Sequence, residues 1–299
     1  MGNAYDNASL IVTPNAYKAS KIYALKPTDG SGDLSFSRAG SKMRRNSAGL
    51  WETIGTNIPP LHYPVGGGCP SWLFEAEAEN IFFRSNDKTI IWIKGATTIG
   101  SSPTSPSSDT SAQKIEETTS TDFHQVYQDK VTSVATYTFS SFFKVAERSR
   151  VQLAIDKGGS NPDAIFDLTA ITIINQNNCT ASIEDNGNGW VNCSITFTSV
   201  SGTVYPLIRL VESGTTVIYA GTLGSGIYVW NSQLELGSTA TSPIITAGSS
   251  VTRLRDVPTG TMIAGTLGYT IVTNVNSLTN TAAIRNFLDL SNGSGRQGI

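Results

Sequence analysis

Few side chains in this chain are equipped for acid–base, nucleophilic or metal chemistry, and their spacing limits what they can do. There are two histidines, His62 and His124, and three cysteines, Cys69, Cys179 and Cys193. His62 sits between Leu61 and Tyr63 beside prolines, and His124 sits on a candidate strand. Neither has a Ser or Cys nearby in a nucleophile elbow, and no G-x-S-x-G occurs. The cysteines form no CxxC pair and no histidine cluster joins them, which argues against zinc. Cys179 and Cys193 flank the turn DNGNG at 185–189 and are expected near one another across a hairpin, on neighbouring rungs and not opposite. Free, buried thiols are the expectation for all three. Glu75, Glu77 and Glu79 alternate and would share one face of an extended strand, which marks a solvated edge more than the carboxylate pair of a glycosidase. Glu235, also on a strand, is expected to meet a donor or a loop backbone, and one carboxylate alone is no calcium site. The chain therefore reads as no enzyme, with no cofactor and no catalytic, cofactor-binding or metal-binding residue assigned. Sugar contacts are a better match to its side chains, because pyranose rings stack on flat apolar faces. Tyr205, Tyr219, Tyr228 and Trp230 are available for this, but Trp190 and Trp230 are read as core, so the glycan-binding residues stay unassigned.

The elements that must position these groups are strands. Residues 226–256 organise the chain. Ile227 and Val229 share one face of a strand and Tyr228 and Trp230 the other, Gln233 to Glu235 continue the line, and Gly237 breaks it. Upstream, TYTFSSFFKV at 136–145 alternates strongly, with Tyr137, Phe139, Ser141 and Phe143 on one face. DNGNG joins two more strands as a hairpin. Residues 112–256 hold roughly ten strands and no amphipathic helix, which points to an all-β protein built as a sandwich of two sheets. Residues 97–111, TTIGSSPTSPSSDTS, read as a loop or linker. Near the N-terminus, Leu10 to Val12 form an apolar run that Pro14 ends, and Tyr17 to Leu25 reads as a strand. GGG at 66–68 is a permissive turn and no phosphate loop, since no GK[ST] follows.

Composition narrows the function classes. The 299 residues carry a net charge of −2 and only 15% charged side chains, too little for the basic footprint of a nucleic-acid binder. The basic cluster Lys42, Arg44 and Arg45 is read as a solvated turn. No apolar run is long enough to span a membrane. The start, MGNAYDNASLIV, reads as neither signal peptide nor myristoylation motif.

Two stretches carry a resemblance. VWNSQLELGSTATSPIITAGSSVTR (229–253) is similar to the closing strand and exit arm of jelly-roll, carbohydrate-binding-like modules found in bacteriophage tail and fibre proteins. Ala112, Lys114 and Glu117, then Tyr137, Thr138, Ser140, Phe142 and Lys144, then Val151 and Leu153, resemble the front half of that module, and Gly189–Trp190 resembles its G-W pair. Phe36, Ser37, Arg38 and Ala39, Gly49 and Leu50, Asn57 and Pro59, and Trp72 to Glu75 with Asn80 resemble the N-terminal region of the same proteins. Pro60 departs from that pattern, where Arg is more usual, and SWLFE lacks the glycine that often precedes the leucine.

The resemblance implies three parts: an extended, strand-rich attachment region at 1–85, a jelly-roll module at 86–256, and the start of a further β-sandwich or interchain strands at 257–299. It implies a non-enzymatic structural and adhesion protein of the virion, a head or tail fibre component made in the host cytoplasm. The expected partners are its own chain, as a homotrimer, other virion proteins through the N-terminal region, and host-surface glycans. Nucleic acid and membrane insertion are not expected. The alternatives are a stand-alone glycan-binding module or a polysaccharide depolymerase accessory protein.

Overall fold

The computed structural model describes residues 10–101 and 104–260. Among them there is no helix, and every strand pair is antiparallel. The protein is all-β.

Two large sheets bury one core. The first runs Thr97–Gly100, Gln113–Glu117, Gly226–Leu236, Thr136–Val145, Trp190–Thr198, Thr180–Asp185. The second runs Thr172–Asn177, Asp163–Asp167, Arg150–Asp156, Gly202–Val211, Gln125–Tyr127, Ile93–Gly95, and Lys130–Thr132 also pairs with Gly202–Val211. Between them pack Ile115, Phe139, Phe143, Ile195 and Val229 from one sheet and Val151, Leu153, Phe166, Ile208 and Leu210 from the other. The pairing is nested. Gln113–Glu117 pairs with Gly226–Leu236, Gln125–Tyr127 with Gly202–Val211, Thr136–Val145 with Trp190–Thr198, and Arg150–Asp156 with Asp163–Asp167. The hairpin across DNGNG forms as expected, with Gly187, Asn188 and Gly189 all at positive φ.

The strand Gly226–Leu236 is buried on both faces. Ile227 and Val229 enter the sandwich core, while Tyr228 and Trp230 face outward into a second cluster with Met43, Trp51, Ala112, Phe142 and Trp190. The alternation then changes phase. Ser140 pairs with Gln233 and Phe142 with Trp230, so two residues oppose one, and Asn231 adopts φ 42°. This bulge sends Leu234 into the core and turns Gln233 and Glu235 to the side of Trp230.

The N-terminal region covers that outer side. Lys42–Arg45 pairs with Trp51–Ile54, and Trp51 meets Phe142 edge-on at 6.0 Å between ring centroids. Leu61–His62 pairs with Ser71–Trp72, and Ala78–Asn80 with Val251–Arg253. Within one chain, Met43 and Trp51 of this region pack against the outer side of the first sheet. Phe36 and Trp51 are buried, Phe36 stacks on Phe74, and Phe74 on Trp72. Trp72 and Phe74 stay half-buried.

Three readings change. Pro14 does not end the first strand, because Ile11–Lys18 runs through it with a register shift between Val12 and Tyr17, which suits a residue with no N–H to donate. A hairpin of Ile11–Lys18 and Lys21–Lys26 thus replaces the single strand at 17–25. Thr97–Gly100 is no linker but an edge strand, paired along its length with Gln113–Glu117. Val257–Thr259 pairs with Leu34–Ser37 and joins a four-stranded sheet with the N-terminal hairpin. The strands expected at 269–275 and 287–290 lie outside the described residues.

Trp190 is 2% exposed and packs against this second cluster. Trp190→Ala is expected to lower stability by roughly 3–5 kcal/mol in a denaturant titration, and an unchanged midpoint would remove the ring from the core.

Candidate functional site

The two motif stretches meet at a buried ionic cluster. Asp256 is the hub. Its Oδ1 accepts Arg38 Nη1 at 2.9 Å, and its Oδ2 accepts Lys42 Nζ at 2.6 Å and the Glu75 N–H at 2.9 Å. Side chains of Arg38, Lys42 and Asp256 have no solvent exposure. The rest of the Arg38 fork donates to backbone carbonyls of Gly40, Gly55 and Ile58 at 2.6–3.1 Å. Lys42 Nζ also reaches Glu75 Oε2 at 2.7 Å and the Leu73 carbonyl. Glu75 accepts the Ser242 N–H and hydroxyl at 2.8 and 2.7 Å, with Arg253 at 3.4 Å. Lys42 and Arg253 hold the Glu75 carboxyl down at about 2 against its burial.

Beside this cluster, Asn80 uses every polar group of its amide. Nδ2 donates to the carbonyls of Ser232 and Ile244, and Oδ1 accepts the N–H groups of Phe82 and Leu234. Glu235 does meet a donor and a loop backbone, accepting Thr241 Oγ1 at 2.5 Å, Gln233 Nε2 at 2.6 Å and the Thr241 N–H at 3.1 Å. Burial nevertheless pushes its carboxyl up to about 7. This whole assembly is a weld between the segments around 38–80 and 232–256.

The weld overturns two surface readings. Lys42 and Arg45 belong to a buried strand and not to a solvated turn: Arg45 donates to Asn186 Oδ1 at 2.6 Å, and Arg44 pairs with Glu52 at 3.0 Å. Of the alternating acids, Glu77 and Glu79 are exposed, but Glu75 turns into the cluster. The cysteines also differ from expectation. Cys193 is buried, Cys179 is half-buried and donates to the Asp163 carbonyl, and Cys69 is exposed. Cys193 lies opposite Ile183, so the two hairpin cysteines are not cross-strand partners.

Neither histidine is poised as a base. His62 Nδ1 accepts the Arg45 N–H at 3.0 Å, and burial beside Arg45 lowers its pKa to about 4. His124 is fully buried, with its ring nitrogens facing the carbonyls of Ala96 and Tyr219. Of the aromatics, Tyr219 is also committed: its hydroxyl donates to Glu117 Oε1 at 2.5 Å, and Arg148 clamps that carboxylate through Nε and Nη2 at 2.5 and 2.7 Å. Trp230 is 1% exposed, and Tyr228 packs against the same cluster. Among the described residues, no group of three or more His, Cys, Asp or Glu side chains could hold a metal ion.

Tyr205 alone stands out, 40% exposed on the outer face of the second sheet. Val204, Ile208 and Leu210 face the core, so Tyr205, Leu207 and Arg209 face out, and pairing sets Tyr127, Gln125, Gln152 and Asp163 beside them. Tyr127 meets Tyr205 edge-on at 6.0 Å. A polar ladder runs across the strands next to this pair. Arg209 donates to Gln125 Oε1 at 2.8 Å and Gln152 Oε1 at 2.9 Å, Gln152 donates to Asp163 at 3.0 Å, and Asn177 donates to Asp163 at 3.1 Å. The Arg209 guanidinium lies over the Phe123 ring at 4.1 Å. Such a surface offers aromatic area and preset amide, guanidinium and carboxylate groups to a hydroxylated ligand. Arg209 is the one charged residue in the apolar run 204–211, which was the available signal for it. Nothing local in the sequence joins it to Tyr127 or Gln152.

No protein-family model matches the chain, and no curated protein matches it.

Asp256→Ala leaves Arg38 buried without its counter-charge and is expected to cost roughly 3–5 kcal/mol by denaturant titration, with residues 34–80 becoming protease-sensitive. The two acids of the weld respond oppositely to pH. Glu75, low in the fold, stabilises above its ordinary value of 4.5, and that contribution is lost as pH falls toward 2. Glu235, high in the fold, holds its proton more tightly than the unfolded chain, so stability falls as pH rises from 4.5 through about 7. Glu235→Gln is expected to flatten that second slope in midpoints measured from pH 5 to 8, and an unchanged slope would refute the assignment.

Proposed function

We propose that the chain is a non-enzymatic structural and adhesion protein of a bacteriophage particle, a fibre component whose sandwich is a jelly-roll module directed at host-surface glycans. The observation that carries the adhesive reading is the outer face of the second sheet, where the Tyr127–Tyr205 pair lies beside the Arg209–Gln152–Asp163 ladder. Aromatic area next to prearranged hydrogen-bonding groups is what sugar recognition requires. The nested pairing of Gln113–Glu117 with Gly226–Leu236, Gln125–Tyr127 with Gly202–Val211, Thr136–Val145 with Trp190–Thr198 and Arg150–Asp156 with Asp163–Asp167 supports the jelly-roll assignment. The buried meeting of the two motif stretches at Asp256 supports the resemblance to phage fibre proteins, since both halves of the pattern enter one structural unit. In this reading the N-terminal segments reach other virion proteins, and the working form is a homotrimer in which several weak sites gain avidity.

Immunogold labelling of purified particles places the protein, with fibre-tip or fibre-shaft labelling expected. A glycan array with the full chain tests adhesion. Tyr205→Ala is expected to lower retention of any bound glycan by about tenfold at unchanged stability, and an unaffected array signal would remove this face from binding. Light scattering at micromolar concentration is expected to give three times the chain mass, and a monomer would overturn the trimer.

A further inference from the structure

One buried amine touches two carboxylates where the two motif stretches meet. Lys42 Nζ lies 2.6 Å from Asp256 Oδ2 and 2.7 Å from Glu75 Oε2. The Lys42 and Asp256 side chains have no solvent exposure, while the Glu75 side chain is 13% exposed. Three cations, Arg38, Lys42 and Arg253, are paired with these two carboxylates. Arginine keeps its proton in a protein, so lysine is the one of the three that can become a nucleophile.

The surroundings give the two carboxylates different parts. Asp256 is gripped at both oxygens, Oδ1 by Arg38 Nη1 and Oδ2 by the Glu75 N–H, each at 2.9 Å. The rest of the Arg38 fork is fixed on the carbonyls of Gly40, Gly55 and Ile58, so it is held in place. Donors fixed in this way stabilise negative charge that builds up on the carboxyl oxygens during attack at the carboxyl carbon. Glu75 instead reaches toward solvent, and it contacts the amine without gripping the carbon to be attacked. Burial pushes the Glu75 carboxyl up, while Lys42 and Arg253 hold it at about 2. A proton passed from Lys42 to Glu75 removes the Lys42 charge itself, and burial then favours the neutral acid with less opposition.

We infer that Lys42 and Asp256 condense within the folded chain to an isopeptide bond, with Glu75 as the proton carrier. Glu75 takes one proton from the Lys42 ammonium. The free amine attacks Cγ of Asp256, while Arg38 and the Glu75 N–H hold the two oxygens of the tetrahedral carbon. The Cγ–Oδ2 bond then breaks. Oδ2 leaves as water with two protons, one returned by Glu75 and one from the attacking nitrogen. An ammonium and a carboxylate become one amide and one water, so atoms and charge balance with no outside reactant. Fixed contact between the reacting groups replaces a bimolecular encounter. The product exchanges two buried charges for a neutral amide, which lifts their desolvation cost. Oδ1 becomes the amide oxygen and still accepts from Arg38. The bond joins positions 214 apart and closes a covalent ring that contains the whole sandwich. It rests on the geometry of the weld and not on the adhesive reading.

Intact mass spectrometry of the purified full chain is expected to give the sequence mass less one water. Trypsin is expected to release one branched peptide, in which the stretch starting at Ala39 is joined through Lys42 to the stretch starting at Asp256, because an acylated lysine is not cleaved. On a denaturing gel the closed ring is expected to run ahead of Lys42→Arg, which keeps the cation and loses the amine. Glu75→Gln keeps the shape and removes the proton carrier. Followed by mass from the time of synthesis, it is expected to form the bond at least about a hundredfold more slowly. The full sequence mass in the wild-type chain overturns the proposal. So does a water loss that fragment spectra place elsewhere, as in a succinimide at Asp29–Gly30, or one that persists in Lys42→Arg. Condensation of Glu75→Gln at the wild-type rate overturns the role of Glu75. The wild-type mass and branched peptide decide the matter by themselves if a variant does not fold. Particle labelling and the glycan array read other properties, so this bond stands or falls apart from the fibre assignment.

Discussion

Asp256 is the group on which the architecture depends. Its carboxylate is fully buried and pairs with a guanidinium and an ammonium that are equally buried. A charge in that position is tolerable only when its lone pairs are taken, and here Arg38, Lys42 and the Glu75 backbone take them together. Three segments must therefore arrive at one point: the stretch after Phe36, the stretch before Glu75, and the end of the exit arm. Arg38 and Asp256 are 218 positions apart, so this is a long-range constraint. Removing any one partner strands the others in the interior, so the loss of a single member is costly.

That constraint explains why the first sheet is not a surface. In many antiparallel sandwiches each sheet has a core face and a wet face. Here the outer side of Gly226–Leu236 carries Tyr228, Trp230, Gln233 and Glu235, and almost the whole strand is buried. The N-terminal ribbons and the exit arm are tied down by Asp256 and Asn80 and occupy the place where water would be. The bulge at Asn231 makes the arrangement consistent. It gives the core Leu234 and presents Gln233 and Glu235 to the arm, where the Gln233 amide oxygen accepts the Ile244 N–H at 2.7 Å. On the outer face of the second sheet Tyr205 stays exposed, beside the polar ladder.

How much of this was legible in the sequence follows the range of the interactions. The opposed faces of Ile227 and Val229 against Tyr228 and Trp230 were readable because a strand alternates locally. The DNGNG hairpin was readable because glycine and asparagine accept positive φ. The phase change at Asn231 was not, since a bulge depends on the facing strand. Lys42 and Arg45 looked like a solvated turn because their partners, Asp256 and Asn186, are far along the chain. Thr97–Gly100 looked like linker because Ser, Thr and Pro dominate around it, and only pairing with Gln113–Glu117 makes it a strand. Of the sheet-face ladder, Tyr205 was named from its type alone. Arg209, Gln125 and Gln152 come together only through register.

The pairing of Leu34–Ser37 with Val257–Thr259 has a mechanical meaning. Ser35 lies opposite Thr259 and Ser37 opposite Val257, so the chain passes into the sandwich and out of it side by side. Tension applied between residues 33 and 260 does not run through the sandwich. It pulls at the same end of an antiparallel pair, which opens rung by rung as a zipper and not in shear. Beyond the last rung stand Arg38 and Asp256, joined in the buried cluster. The sandwich is thus a pendant loop on the line of force, with a peeling segment as a weak first stage and a buried ion pair as the stop behind it. Its outer sheet face lies behind that ion pair, off the line of force.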